Sequence, residues 1–345
     1  MKQMLVATSL LLSLPTLADV TNNGVNYPVP ADKFDMRHWK ITIPSDINQD
    51  GRVDEIEGVA MMSYSHSDFF YLDSQGHLVF EVHNKAITTK NSKNARSELR
   101  QMARGANFAI GTHDPLNNWA LSSHPEAESF STIGGKLEAT LKVNHVSLHA
   151  KYPNKYPAYS VVVGQIHAEK DNDQIKAKTG FGHGNEPIKI FYKKFPNHKM
   201  GSVFWNYERN LAKDDPNRED IAYPVWGNTW ENDADPGQAG IALGESFSYQ
   251  IEVNGTTMSL TFETDRHDTV TYEIDLSKGI DDKDSPTGYA KDAFYFKAGA
   301  YGQCSVQDSH PIWGPGCEGT GDFAVDKLNG DYNSVTFTEL KLNGQ

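Results

Sequence analysis

The feature that most constrains the fold is a succession of short segments in which apolar and polar residues alternate. Examples are HLVFEVHN, GKLEATLKVNHVSL and TVTYEIDL, and clusters of Gly, Pro, Asn and Asp separate these segments. Alternation with a period of two is typical of strands, whereas a helix repeats its apolar residues every three or four positions. Ten or more such segments predict an all-β protein, either an antiparallel β-sandwich or a barrel. In EVNGTTMSL, the Asn254-Gly255 pair predicts a two-residue hairpin.

The N-terminus has the layout of an export signal. Lys2 precedes an apolar run from Met4 to Leu14, and small residues follow near Ala18. This run is too short to span a bilayer, and a buried N-terminal helix is the alternative interpretation. We expect residues 1–18 to be a cleaved signal peptide and residues 19–345 to form one domain. The mature protein is then expected in the periplasm or outside the cell.

Charge and cysteine content bear on partners and compartment. The formal net charge of −13 argues against nucleic acid or an anionic membrane as a partner. Net charge acts mainly on solubility and steering, so a local cluster of cations can still bind a carboxylate. Cys304 and Cys317 are predicted to form a disulfide in an oxidising compartment, with free thiols or a metal pair as the alternatives.

Three predicted strands carry polar residues of functional types on one face, because successive side chains of a strand point to opposite faces. The residues that share these faces are Arg96, Glu98 and Arg100 in RSELR, Gln165 and His167 in SVVVGQIHA, and Tyr295, Lys297, Gly299, Tyr301 and Gln303 in FYFKAGAYGQ. On any single strand, an ordinary polar face is the alternative.

These residue types together suit β-elimination from a uronic acid polymer. The C5 proton of a uronate becomes acidic only when donors neutralise the neighbouring carboxylate, because an enolate-like charge develops there. Arg96 and Gln165 are suitable donors. His167 can remove the proton or add to the neutralisation, and Tyr301 can protonate the departing O4 or act as the base.

The three strands resemble the signature segments of polysaccharide lyase family 7, the alginate lyases. RSELR, QIH and YFKAGAYGQ are similar to the family patterns R(S/T)E(L/V)R, Q(I/V)H and YFKAG(V/I/A)YxQ. They occur in the family's order, and the resemblance covers essentially the whole mature chain. It implies a β-sandwich of jelly-roll type with an open concave cleft, and a secreted lyase that acts endolytically on alginate without a cofactor.

The resemblance also implies roles for individual residues. Arg96 and Gln165 would neutralise the carboxylate, and His167 and Tyr301 would transfer the protons. The implied substrate-binding residues are Glu98, which would orient the two arginines, and Arg100, Lys297 and Gln303, which would hold neighbouring uronates.

The stereochemistry of the substrate distinguishes the two proton-transfer residues. In mannuronate H5 and O4 lie on the same side of the ring, so Tyr301 alone would serve as base and acid. In guluronate they lie on opposite sides, so His167 would abstract the proton. Family members with Ile in the middle of QIH tend to accept guluronate, so Ile166 indicates guluronate or mixed blocks.

One further motif is an acidic loop. The segment DINQDGRVDEIE matches the pattern D-x-[DN]-x-[DN]-G-x5-E through Asp46, Asn48, Asp50 and Glu57. Oxygen ligands at alternate positions can bind Ca²⁺, which would be structural here. Because the flanking segments do not look helical, a solvated acidic turn is the alternative.

Two other classes of function compete with the lyase. A glycoside hydrolase needs two carboxylates at a defined separation, and Glu98 is the only carboxylate on the three strands. A non-catalytic module that binds acidic polysaccharide needs aromatic platforms, for which Trp226 and Trp230 are available unless they only pack. We expect a monomer whose partner is alginate, with no nucleic acid or membrane partner.

Overall fold

Two β-sheets packed face to face form the framework of the protein in this computed structural model, which describes residues 28–151, 157–305 and 316–343. The strands of the described residues are β1 (Trp39–Ile43), β2 (Asp54–Ile56), β3 (Phe70–Leu72), β4 (Leu78–His83), β5 (Asn94–Gln101), β6 (Trp119–Ala120), β7 (Thr132–Ile133), β8 (Gly135–His145), β9 (Ser160–Ala168), β10 (Ile188–Lys193), β11 (Ser202–Glu208), β12 (Asp220–Trp226), β13 (Ser246–Asn254), β14 (Thr257–Thr264), β15 (His267–Asp275), β16 (Ala293–Ser305) and β17 (Tyr332–Asn343).

Helices are few and short among these residues. The α-helices are α1 (Asn172–Lys176) and α2 (Phe323–Asn329), and the 3-10 helices are Pro30–Asp32, Gly58–Met62, Pro115–Asn117, Ala127–Ser129 and Gly237–Ala239. In the described part of the chain, no helix is long and apolar enough to cross a membrane.

The strand order defines two separate sheets. The first sheet has the order β12-β11-β10-β9-β16-β5-β1-β2, and β6 pairs with β16 and with β7. The second sheet has the order β15-β14-β13-β8-β17-β4-β3. The pairs are antiparallel except for β6 with β7. The predicted sandwich is therefore confirmed, and the alternative of a closed barrel is wrong because both sheets have edges.

Alternation in the sequence places the core between the sheets. In β8, for example, Leu137, Ala139, Leu141 and Val143 are buried, whereas the residues that alternate with them are partly exposed. Leu99 and Ile166 of the first sheet belong to the same buried cluster as these residues. The inner faces of the two sheets therefore share one hydrophobic core, and the outer face of the first sheet is left for polar side chains.

The hairpin predicted at Asn254-Gly255 is confirmed, with a shift of one residue. Asn254 ends β13 and pairs with Thr257 at the start of β14, so the two loop residues are Gly255 and Thr256. Gly255 has φ = +62°, a left-handed value that favours glycine at the first loop position.

Two predictions concern parts of the chain that the structure does not describe. Residues 1–18, predicted to be a signal peptide, lie outside the described residues, and so does the side chain of Cys304. Cleavage after Ala18 and the pairing of Cys304 with Cys317 therefore stay predictions.

Candidate active site

Side chains from four neighbouring strands form a row on the outer face of the first sheet. Arg100 of β5 lies opposite Lys297 of β16, Lys297 lies opposite Gln165 of β9, and Gln165 lies opposite Lys189 of β10. Directly opposed residues of adjacent strands have Cβ atoms about 5 Å apart. The first sheet therefore brings the three predicted strands together, in the order that places RSELR and QIH on either side of FYFKAGAYGQ.

Arg96 and Tyr301 lie opposite each other further along the same two strands. The guanidinium carbon of Arg96 lies 4.0 Å from the centre of the Tyr301 ring. The Ser92 hydroxyl lies 3.0 Å from Arg96 Nη2, from which it accepts a hydrogen bond, and 3.3 Å from the Tyr301 hydroxyl. Ser92 thus joins the predicted carboxylate neutraliser to the predicted proton donor.

Glu98 is the anion around which the donors are arranged. Its side chain is 1% exposed and accepts a hydrogen bond of 2.9 Å from Arg96 Nη1. It also accepts hydrogen bonds from Gln165 Nε2 and Lys297 Nζ. Burial acts to raise the pKa of Glu98, but the charges of Lys297 and Arg96 lower it below its usual value. Glu98 therefore stays ionised and is unsuited to be the acid of a hydrolase.

Lys297 lies in the same buried cluster, where burial disfavours its charged form. Burial and the charge of Arg96 lower the pKa of Lys297 to about 8, although Glu98 acts against this shift. An additional anion in the cleft would favour the charged form of Lys297.

His167 is held in one tautomer at the edge of this cluster. Its Nδ1 lies 2.6 Å from the carbonyl oxygen of Ala168, and only a protonated nitrogen can donate there, so Nε2 carries the lone pair in the neutral ring. The ring stacks on Tyr295 with 5.1 Å between ring centres. Burial lowers the pKa of His167, while the charge of Glu186 opposes that shift. The imidazole is therefore a neutral base near pH 7.

Arg100 does not contact Glu98, although Glu98 was expected to orient both arginines. Arg100 Nη2 lies 3.2 Å from Glu169 Oε1 and 3.2 Å from Asn118 Oδ1, and the guanidinium stacks 3.9 Å from the centre of the Tyr295 ring. Glu98 contacts Arg96, whereas the expected contact with Arg100 is wrong. The reason is that the segment from Thr112 to Asn118 reaches over the sheet and, with Glu169, supplies other acceptors.

Gln303 lies near the end of the same strand as Tyr301. It is 8% exposed, and its Nε2 donates to the carbonyl oxygen of Tyr301 at 3.3 Å. Between the two residues the pairing of β16 with β5 shifts in register. Gln303 therefore supports the backbone at Tyr301.

The glycine between Lys297 and Tyr301 allows the strands to approach closely. Gly299 has φ = +146°, and a Cβ atom there would lie 2.6 Å from the Ser97 carbonyl oxygen. The lack of a side chain at Gly299 therefore lets β5 lie close to β16 between Lys297 and Tyr301.

Three residues of the cluster were not anticipated from the sequence, namely Ser92, Glu186 and Lys189. Lys189 contacts Glu186 and Asp220, and Glu186 Oε1 lies 3.4 Å from His167 Nε2. Lys189 alternates with Ile188 and Ile190, which is a signal that could have found it, but nothing in the sequence shows that β10 pairs with β9.

The two tryptophans considered as sugar platforms are packed inside. Trp226 and Trp230 are each 4% exposed, and Trp226 belongs to the main core. Trp230 packs with Phe191, Phe204 and Val162 in a small apolar cluster beside Tyr301. The packing interpretation is therefore correct for both.

The acidic loop at residues 46–57 is held by its own backbone. The Asp46 carboxylate accepts from the Asp50 and Gly51 amides, each at 2.9 Å, while Glu57 pairs with Arg104 at 2.7 Å. Across the described residues, no group of three or more His, Cys, Asp or Glu side chains is arranged to hold a metal ion. Calcium binding through Asp46, Asn48, Asp50 and Glu57 stays a prediction.

Comparisons with known proteins agree with this geometry. A family model described as alginate lyase matches residues 34–344. An alginate lyase of Klebsiella pneumoniae is 35% identical over 309 residues, which cover 87% of this chain and 90% of that protein. The crystal structure of the alginate lyase from Klebsiella pneumoniae is similar with a TM-score of 0.70 and 31% identity, covering 92% of this chain and 99% of that one. The crystal structure of an exolytic family 7 alginate lyase from Zobellia galactanivorans is similar with a TM-score of 0.72 and 33% identity, covering 92% of this chain and 98% of that one.

Proposed function

This chain belongs to the alginate lyase family and is a polysaccharide lyase, and we propose that it cleaves alginate by β-elimination on the outer face of the first sheet. One observation carries the mechanism. Arg96, Gln165 and Lys297 converge on a single buried carboxylate, that of Glu98. Such an arrangement fixes donors in place before a substrate carboxylate arrives, so little reorganisation is needed during the reaction.

Arg96 and Gln165 neutralise the carboxylate of the uronate at the bond to be cut. The Arg96 side chain is 13% exposed, and among the described residues its Nε has no hydrogen-bond partner, so a carboxylate that reaches the guanidinium would supply an acceptor. Gln165 is fixed by its hydrogen bond to Glu98. Lys297 adds positive charge at the same place.

Proton transfer then falls to His167 and Tyr301. On guluronate, His167 Nε2 takes the C5 proton, the C5–H electron pair forms the C4=C5 double bond, and the C4–O4 bond breaks. Tyr301 gives its proton to the departing O4. The imidazolium then releases its proton to solvent, and Tyr301 takes one up from solvent, which completes the turnover. On mannuronate, Tyr301 acts in its deprotonated form: the phenolate takes the C5 proton and returns it to the departing O4, and so ends as a phenolate again. Each step balances without a metal or a redox cofactor.

Ultraviolet absorbance tests this reaction directly, because elimination leaves a conjugated C4=C5 double bond that hydrolysis does not produce. We expect absorbance to rise when the purified mature protein is mixed with polyguluronate or with polymannuronate. A folded protein that gives no rise with either polymer would contradict the proposal.

We expect endolytic cleavage with a preference for guluronate or mixed blocks. Ile166, on which the preference rests, is fully buried behind the site, so its effect must act through packing. The Zobellia relative is exolytic, so viscosity should be followed together with absorbance. An early fall in viscosity supports endolytic action, whereas unsaturated monomer from the outset with little change in viscosity supports exolytic action.

Export and a monomeric state complete the proposal. We expect cleavage after Ala18, so that the mature protein begins at Asp19. N-terminal peptide mass spectrometry of protein from the periplasm and medium tests this. Light scattering of the purified protein should give the mass of one chain.

A further inference from the structure

Glu186 lies beside the nitrogen of His167 that must accept a proton. Glu186 Oε1 is 3.4 Å from His167 Nε2, while the other ring nitrogen donates to the Ala168 carbonyl oxygen. The His167 side chain is 24% exposed and the Glu186 side chain is 17% exposed, so the contact lies at the margin of the cleft.

The position of Glu186 is fixed from two sides. Its carboxylate contacts Lys189 Nζ at 3.4 Å, and its backbone N–H donates to Glu208 Oε2 at 2.9 Å. Burial alone would raise the pKa of Glu186, but the charge of Lys189 and a hydrogen bond involving Glu208 hold it below its usual range. The lowered pKa keeps Glu186 ionised near neutral pH.

We propose that Glu186 is a positioning residue that acts through His167: its carboxylate stabilises the imidazolium formed when His167 Nε2 takes the C5 proton from guluronate. This inference rests on the proposed function. The proton moves from C5 to Nε2, the C5–H pair forms the double bond, and O4 leaves with the proton of Tyr301. A positive charge appears on the imidazole during this step, next to an anion already in place.

The same geometry predicts that the two polymers will respond differently. On mannuronate Tyr301 removes the proton, so no imidazolium forms during elimination. Loss of the Glu186 charge should therefore slow guluronate cleavage much more than mannuronate cleavage. A general loss of packing would affect both polymers alike.

Other charged groups also face His167. Their effects on its pKa are smaller than that of Glu186, and the substitution of Glu186 does not remove them. Lys297 of β16 disfavours the charged ring, while Glu169 at the end of β9 favours it. The uncharged Tyr295 ring covers one side of the imidazole. Glu186→Gln leaves all three in place.

The experiment compares Glu186→Gln with wild type on both polymers across pH. We expect kcat/KM on polyguluronate to fall by about 10-fold to 100-fold, by analogy with the range found for groups that hydrogen-bond a metal-binding histidine. On polymannuronate we expect less than about a threefold change. The base form of His167 exists above its pKa, so loss of the anion should move the acid limb of the polyguluronate profile to lower pH, by about one pH unit.

NMR titration gives a readout that does not depend on activity. The imidazole signals of His167, assigned by their loss in His167→Asn, should titrate at lower pH in Glu186→Gln than in wild type. Glu186→Asp keeps the charge and should restore much of the difference. Glu339→Gln removes an exposed carboxylate of the second sheet, paired with Lys341, and should change neither the titration nor the rates. Thermal unfolding of each variant checks the fold, and Glu186→Ala provides a second neutral variant if Glu186→Gln is unstable.

The outcomes separate this inference from the function on which it rests. An unchanged titration of His167 in folded Glu186→Gln, or equal losses on both polymers, overturns the role of Glu186. Wild-type protein that forms no unsaturated product overturns the proposed function, while the titration still reports whether Glu186 controls His167.

Discussion

Glu98 accepts hydrogen bonds from Arg96, Gln165 and Lys297 on three adjacent strands. Buried charges are stable only when they are paired, so each member of this group depends on the others. Because the anion is already in place, the cations are oriented before substrate binds. We therefore expect Glu98 to hold these donors in place, in line with the expectation from the sequence that it orients Arg96.

Tyr301→Phe and His167→Ala separate the two proton-transfer roles. Tyr301→Phe keeps the ring that stacks on Arg96 and removes only the hydroxyl, so we expect a loss of at least about 100-fold on both polymers. His167→Ala should lose as much on polyguluronate and less on polymannuronate. Initial rates by absorbance, with circular dichroism as the control for folding, check both. Wild-type turnover by folded Tyr301→Phe would remove this residue from the mechanism.

Ser92→Ala tests the hydroxyl that lies between Arg96 and Tyr301. Loss of the contacts that the Ser92 hydroxyl makes with the Arg96 guanidinium and with Tyr301 should lower kcat by about 5-fold to 30-fold on both polymers, corresponding to roughly 1–2 kcal/mol. The stability should change little, since Ser92 is partly exposed. Ser122→Ala, in a loop paired with the β13–β14 hairpin, is a matched control. A rate equal to wild type would show that Ser92 does not orient either partner.

The strand β9 carries the site on one face and core contacts on the other. Behind Gln165, the Tyr249 hydroxyl of β13 donates to the Val163 carbonyl oxygen at 3.0 Å. A side chain at Gly164 would overlap that hydroxyl. The second sheet therefore reaches to the back of the strand that presents Gln165 and His167, so packing and activity are linked through β9.

Gly164→Ala should consequently lower both stability and activity. We expect a loss of about 1–3 kcal/mol in the free energy of unfolding, as for an overpacked core site, and a reduced kcat as β9 shifts. Urea unfolding measures the first effect. Gly111→Ala, where a Cβ atom meets nothing within 4 Å, is the control, and Gly164→Ala combined with Tyr249→Phe should recover part of the loss. A fully stable Gly164→Ala protein would contradict this account of the packing.

The cations of the site lie in a chain that is acidic overall. The net charge is −13, yet Arg96, Lys189 and Lys297 gather on one face. Carboxylates lie among them, since Glu98 contacts Arg96 and Lys297, and Glu186 contacts Lys189. An anionic polymer can therefore be bound by individual cationic donors, because net charge acts mainly on solubility and long-range steering.

Chelation separates a structural calcium from a catalytic one. Because the proposed elimination needs no metal, we expect a chelator to leave the initial rate near neutral pH unchanged. If the acidic loop binds calcium, the midpoint of thermal unfolding should fall on chelation and recover when calcium is added. Asp50→Asn should abolish that recovery. Loss of catalysis on chelation, restored by calcium without any change in unfolding, would contradict a structural role.

The strands, and many of the residues that form the site, could be predicted from the alternation of apolar and polar residues along the sequence. Alternation set the strands and their buried faces, and the grouping of Arg96 with Glu98, or of Gln165 with His167, followed from the period of two. These properties depend only on residues close together in the chain, so sequence is sufficient for them. The resemblance to family 7 then indicated that these three strands belong to one site and which roles their residues would have.

Tertiary structure decided the partners, because strand order and loop paths join residues that are far apart in the chain. Arg100 pairs with Glu169 instead of Glu98, since a loop and the end of β9 bring other acceptors to it. Glu186 meets His167 for the same reason, since β10 lies next to β9. Local periodicity fixes which face a side chain occupies, whereas the closure of long loops fixes which side chain it meets there.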